Sequence, residues 1–132
     1  MSPEGLVTLS SRHGPKATMD RLEAEVMAKG MRVFARIDHA AGAVEVGLSL
    51  APTEVLIFGN ARAGTPLMQS AQTIGIDLPL RALVWQDASG ATRLSYYDPA
   101  WLARRHEVGT GAADPVSKMS AATRTVVEAA IA

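Results

Sequence analysis

Three places in the sequence carry side chains that could do chemistry. Asp38-His39 closes the run "MRVFARIDH", and His106 lies between Arg105 and Glu107. A carboxylate beside an imidazole can hold a divalent metal or pass a proton. The third histidine, His13, stands in "SSRHGPKA". No two histidines have metal-ligand spacing, so a site built on them needs distant segments to converge. The plainer alternative is structural: Asp38 and His39 anchor a turn through backbone hydrogen bonds, and His106 sits at a helix C-terminus, where a cation is favoured.

The stretch "GNARAGTP", residues 59–66, has two glycines with four residues between them, after an apolar run. That outline suggests a phosphate-cradling loop. Such a loop needs Lys and then Ser or Thr directly after its second glycine, to reach the terminal phosphates and magnesium. Thr65 and Pro66 stand there instead. The turn reading accounts for every residue: Gly59 and Gly64 permit tight bends, Thr65 caps a helix, and Pro66 opens it. Weak anion binding at the helix start, helped by Arg62 or Arg81, is the remaining functional option.

Arg36, Arg81 and Arg93 fall within strand-like runs, the first two in apolar surroundings. A buried guanidinium needs a carboxylate or carbonyl partner, and Asp38, Asp77 and Asp98 are candidates. An ion pair that fixes strand register competes with ligand binding for these arginines.

The elements that must position these groups are legible as patterns. "GLVTLS" is a short strand. Residues 15–29 form a helix with Pro15 in its first turn, a stripe of Met19, Leu22, Val26 and Met27, and Gly30 as its stop. "MRVFARIDH" alternates with period two and is a strand. "AAGA" turns the chain into a weaker strand, "VEVGLSL", ended by Pro52. "TEVLIFG" and "LPLRALVWQ" are apolar on both faces, with a helix starting at Thr65-Pro66 between them. Asp87 to Gly90 makes a hairpin turn into "ATRLSYY". Asp98-Pro99 and Asp114-Pro115 each read as an N-cap followed by a first-turn proline, opening a short helix and a final helix. The final helix has an apolar stripe of Val116, Met119, Val126, Val127, Ala130 and Ile131.

This order predicts a single α+β domain over residues 1–132, with a mostly antiparallel sheet and helices packed on one face. Phe34, Trp85 and Tyr96 or Tyr97 then need cover on the other face, supplied by the inserted helix, a partner subunit, or both.

Composition narrows the functions. The chain has 132 residues, 13 Lys plus Arg against 13 Asp plus Glu, and no cysteine. Zero net charge, few aromatics and no basic stripe argue against nucleic acid and against an anionic membrane surface. Without cysteine there are no disulfides, thiolate metal sites or cysteine nucleophile. No G-x-S-x-G is present. The N-terminus lacks a basic segment followed by a long apolar run, and no run approaches bilayer length, so the expectation is a cytoplasmic chain without a membrane span.

Four segments together, "GMRVFARIDHAAGA", "TEVLIFGNARAGTPLMQ", "IGIDLPLRALVWQD" and "YYDPAWLARRH", resemble the bacterial and archaeal domain-of-unknown-function family 302 over most of residues 17–130. "FGNxxxGTPLM" followed by "LPLRxLVW" is the specific part, and residues 1–14 match less well. The resemblance implies a compact α+β domain, a sheet backed by helices, and a homodimer; it implies no activity. The polar positions within its motifs are Arg36, Asp38, His39, Asn60, Thr65, Arg81, Asp98 and His106.

The function these readings favour is small-molecule binding, with a ligand site formed at strand ends by Arg36, Asp38, His39, Asn60, Thr65, Arg81 and His106 beside an apolar floor. No cofactor and no bound metal are expected. The alternatives are a metal-assisted or acid/base hydrolase using Asp38, His39 and His106, and a structural homodimer module.

Overall fold

The computed structural model describes residues 2–132; residue 1, included in the 1–132 domain reading, lies outside them. The element order is β1 (Leu6–Ser10), α1 (Pro15–Ala28), β2 (Arg32–Asp38), α2 (His39–Glu45), β3 (Thr53–Gly59), α3 (Ala61–Ser70), β4 (Leu80–Gln86), β5 (Thr92–Tyr97), α4 (Pro99–Arg105) and α5 (Ala113–Ile131), with short 3-10 turns at Gln72–Ile76 and Thr110–Ala112. The strands form one sheet in the order β1-β5-β4-β3-β2. Every neighbouring pair is antiparallel, so the α+β class holds.

The alternation of each strand decides where the core lies. Leu56 and Phe58 of β3, Ala82 and Val84 of β4, and Leu94 of β5 share one face and are buried. Against them pack Met19, Leu22 and Val26 of α1 and Met119, Val126 and Val127 of α5, also buried. Each of these side chains except that of Ala82 contributes about 1.5–3 kcal/mol by leaving water. Helix α1 joins the two edge strands and crosses the whole sheet on this face, beside α5. Arg21 locks the two helices together: its Nε and Nη2 donate to the carbonyls of Ala130, Ala129 and Ala132 at the end of α5, where a cation satisfies otherwise unpaired acceptors.

Several local expectations are corrected. Met27 is 62% exposed and Thr18 takes its place in the buried stripe of α1. The stretch read as "AAGA" turn plus "VEVGLSL" strand is helix α2 followed by irregular chain. The Asp38 side chain accepts the Ala41 N–H at 2.9 Å, which starts a helix where a turn was expected. Helix α3 begins at Ala61, not Thr65: Asn60 is its cap, accepting the Ala63 N–H, and Pro66 is internal. Asp98 caps α4 as expected, whereas Asp114 lies in the first turn of α5 and Ala112 holds the cap position.

The opposite face carries the row Thr8, Ser95, Leu83, Val55 and Ile37 across the sheet. It is part polar: Trp85 Nε1 donates to Ser95 Oγ at 2.9 Å, and Ser95 and Thr8 share a hydrogen bond of 2.8 Å. Helix α3 packs beside α5 on the core side, so it does not cover this face. Tyr96 is buried on the core face, and Tyr97 stacks on Trp101 with ring centroids 5.2 Å apart.

Candidate functional site

A cavity of roughly 680 Å³ opens where "GNARAGTP" leaves the sheet. That volume falls in the range typical of small-ligand sites. Four pieces of chain line this open-mouthed space: the exit of α1 into β2, the end of β3 with the first half of α3, the approach to β4, and the first half of α5. Its walls are apolar, with Leu78, Leu80, Pro79, Pro115 and Ala122 beside the three methionines Met31, Met68 and Met119. Thioether side chains rearrange at little cost and suit a surface that must fit an irregular guest.

The mouth is polar. Lys29, Asn60, Arg62, Asp114 and Lys118 border it. Asp114 and Lys118 neutralise one another at 3.0 Å. Lys29 and Arg62 have no carboxylate within salt-bridge distance among the described residues. Asn60 is occupied with capping, its Oδ1 2.6 Å from the Ala63 nitrogen. Pro66 lacks an N–H, which leaves the Arg62 carbonyl one turn earlier without its helical donor.

Of the seven residues proposed from sequence as the ligand site, Asn60 alone lines this cavity, joined by Arg62, which the sequence offered for anion binding at the helix start. Thr65 is on α3 but exposed. Arg36 is drawn into a carboxylate cluster: Nε donates to Glu54 at 2.7 Å, and Nη1 reaches Glu23 at 3.0 Å and Asp20 at 2.8 Å. Glu54, Asp20 and Glu23 raise the guanidinium pKa further above its ordinary value, Glu54 most, while burial opposes them. Arg36 thus ties α1 to β2 and β3. None of Asp38, Asp77 and Asp98 is its partner, because Glu54 is on the adjoining strand and α1 lies across the same face. Arg81 is exposed, contrary to the apolar surroundings its neighbours suggested; in a strand its flanking apolar residues point the other way. Arg93 pairs with Asp87 at 2.9 Å.

Asp38 caps α2 and His39 is exposed in its first turn. His106 has both ring nitrogens engaged elsewhere: Nε2 lies 2.6 Å from Asp77 Oδ2 and Nδ1 lies 3.0 Å from Thr73 Oγ1. The imidazole therefore clamps the end of α4 onto the 3-10 turn before β4. Among the described residues no group of three or more His, Asp or Glu is placed to hold a metal. Asp98 accepts from the Ala100 N–H at 2.9 Å and from Ser120 Oγ at 2.6 Å, joining α4 to α5.

Lys29, Met31, Phe34, Met68, Lys118 and Met119 were not legible as site residues, because each belongs to the ordinary pattern of its own element; the sequence singles out Arg62 only as an aid to anion binding at the start of α3. The one local signal was Pro66, a helix-breaking residue retained inside α3.

Residues 7–126 match the family described as Domain of unknown function DUF302. The chain is 51% identical over 124 residues to the Fluoride-specific ion channel FluC 1 of Brucella suis biovar 1 (strain 1330), covering 94% of this chain and 49% of that protein. It is equally similar to the Fluoride-specific ion channel FluC 1 of Brucella abortus biovar 1 (strain 9-941), of which it covers 46%. The chain thus spans about half the length of these curated relatives. Among the described residues no helix is long and apolar enough to cross a membrane. The crystal structure of an uncharacterized conserved protein DUF302 from Bacillus stearothermophilus has the same fold, with a TM-score of 0.84 at 18% identity over 97% of this chain and 99% of that one. The chain belongs to the DUF302 family.

Proposed function

We propose that this chain is a small-molecule binding domain whose ligand occupies the cavity between α3, α5 and the ends of β3 and β4. The observation that carries this reading is the cavity itself, about 680 Å³ with apolar walls and a polar mouth. A concave apolar cleft of this size with a few polar groups at its rim is the usual form of a small-ligand site. The partners of Asp38 and His106 favour structural duties for both over hydrolysis. Native mass spectrometry of gently purified protein tests the reading. A co-purifying adduct is expected, and it should vanish in Ala122→Trp, which fills the cavity from α5. An Ala122→Trp protein that keeps the adduct would place the ligand elsewhere.

The half-length match to the Brucella channels supports a second element of the proposal: we propose that in such proteins this domain is an accessory and that the conducting part is the half outside the match. Fluoride efflux from liposomes should persist when the matching half is removed from a Brucella channel. Loss of efflux despite correct insertion would assign the domain to the pore.

We also propose that two copies associate. Among the described residues, six of the nine large exposed apolar side chains, Phe34, Ile37, Val44, Val46, Leu48 and Leu50, fall within residues 34–50. Light scattering should give twice the chain mass, reduced to a single chain by Val46→Asp with Leu48→Asp.

A further inference from the structure

We infer that the cavity takes an amphipathic monoanion, a carboxylate with an apolar tail, bound tail-inward with its head group between Lys29 and Arg62. This rests on the cavity reading and adds the class of ligand. The charge count at the mouth is the first argument. Of the four ionic side chains that border it, Asp114 and Lys118 pair at 3.0 Å and cancel. Lys29 and Arg62 remain, both exposed and without a carboxylate partner among the described residues. Two unpaired cations at one opening attract an anion and repel a cation.

Past the mouth, Met31, Met68, Leu78, Leu80 and Met119 offer no charged group to a guest. The hydroxyl of Thr123, the polar side chain deepest in α5, already donates to the Met119 carbonyl at 2.8 Å. Asn60 Oδ1 is likewise engaged. A polar guest such as a sugar or nucleotide base would leave its hydrogen-bonding groups unmatched along this wall, a costly outcome. A hydrocarbon or aromatic tail loses nothing there and gains by leaving water. The first turn of α3, whose backbone N–H groups begin at Ala61, borders the same opening and adds a favourable field for the head group.

Octanoate and 1-octanol share a tail and differ in charge, which makes them suitable probes. Isothermal titration at low ionic strength should show octanoate binding roughly tenfold more tightly than 1-octanol, since each exposed ion pair is worth up to about a factor of five. In Lys29→Gln with Arg62→Gln that advantage should disappear while 1-octanol binds as before. Raising the salt concentration should erode it in the unaltered protein. Equal affinities for both probes, or an advantage that survives in the double variant, would overturn the assignment of the mouth and leave the cavity reading standing. Failure of both probes to bind would overturn both. The two substitutions are on the surface, and thermal unfolding of the variant should match that of the unaltered protein.

Discussion

Gly59 and Gly64 both belong to the "GNARAGTP" stretch, and the structure gives them opposite roles. Gly64 is inside α3, buried, with a helical backbone open to any residue. A methyl group there would meet Leu78 Cδ1 at 3.6 Å and Met68 Cε at 3.7 Å, ordinary contact distances. Alanine is favoured over glycine inside a helix by about 0.8–1.0 kcal/mol, and the new methyl adds a little burial. Gly64→Ala should therefore stabilise the protein by about 1 kcal/mol. Gly59 has φ near +155°, where side-chain-bearing residues are strained, although a methyl there would meet nothing nearer than 3.8 Å. Gly59→Ala should cost about 1–3 kcal/mol through the backbone alone. With an unfolding entropy of about 2.1 cal/mol/K per residue, 132 residues convert 1 kcal/mol into about 3–4 °C. Differential scanning calorimetry should show Tm raised by about that amount in Gly64→Ala and lowered by about 4–10 °C in Gly59→Ala. A lowered Tm in Gly64→Ala, or no change in Gly59→Ala, would refute this account of the loop.

Further expectations can be checked by unfolding experiments. Arg36→Ala strands Glu54, Glu23 and Asp20 around one site and should cost about 2 kcal/mol in urea unfolding; Arg36→Lys should not fully restore it, because a single ammonium cannot serve three carboxylates in the same way. Asp98→Ala removes the cap of α4 and its tie to Ser120, and should cost about 1–2 kcal/mol in the same assay. Asp87 has its pKa lowered by Ser89, Arg93 and the Ala91 N–H, and Asp20 by Arg36 and Lys16. The unfolded chain takes up these protons first, so the stability they lend is complete above about pH 4 and is lost as pH falls further. Burial, with Asp98 nearby, raises the Tyr96 pKa, so its contribution is present below about pH 10 and fades above it. A stability profile measured from pH 2 to 11 that is flat at its acid end would contradict these assignments.

The sheet was legible where turn chemistry and alternation agree. Asp87 and Gly90 announce the β4–β5 hairpin, and Leu80, Ala82 and Val84 alternate strictly into the core. Around residues 38–50 two signals conflicted: valines and leucines suggested a strand, but the Asp38 cap and the alanines that follow it settle α2. The start of α3 was misplaced because two capping residues, Asn60 and Thr65, lie five positions apart and the earlier one is used. The polar residues singled out from sequence turn out to be mainly fasteners: Arg36 for α1, Asp38 for α2, His106 for α4. The cavity could not be read in advance, since Met31, Met68 and Met119 meet only when the α1–β2 connection, α3 and α5 are folded together.

Those methionines also allow the central claim to be tested. With methionine methyl groups labelled with carbon-13, octanoate can be titrated while the methyl resonances are followed by NMR. The account predicts that Met31, Met68 and Met119, which line the cavity, shift together and saturate at one concentration. Met19, sealed in the core, and Met27, exposed at 62%, should stay in place. Shifts confined to Met27, or no shift at any of the three lining methionines at saturating octanoate, would contradict a ligand site between α3 and α5.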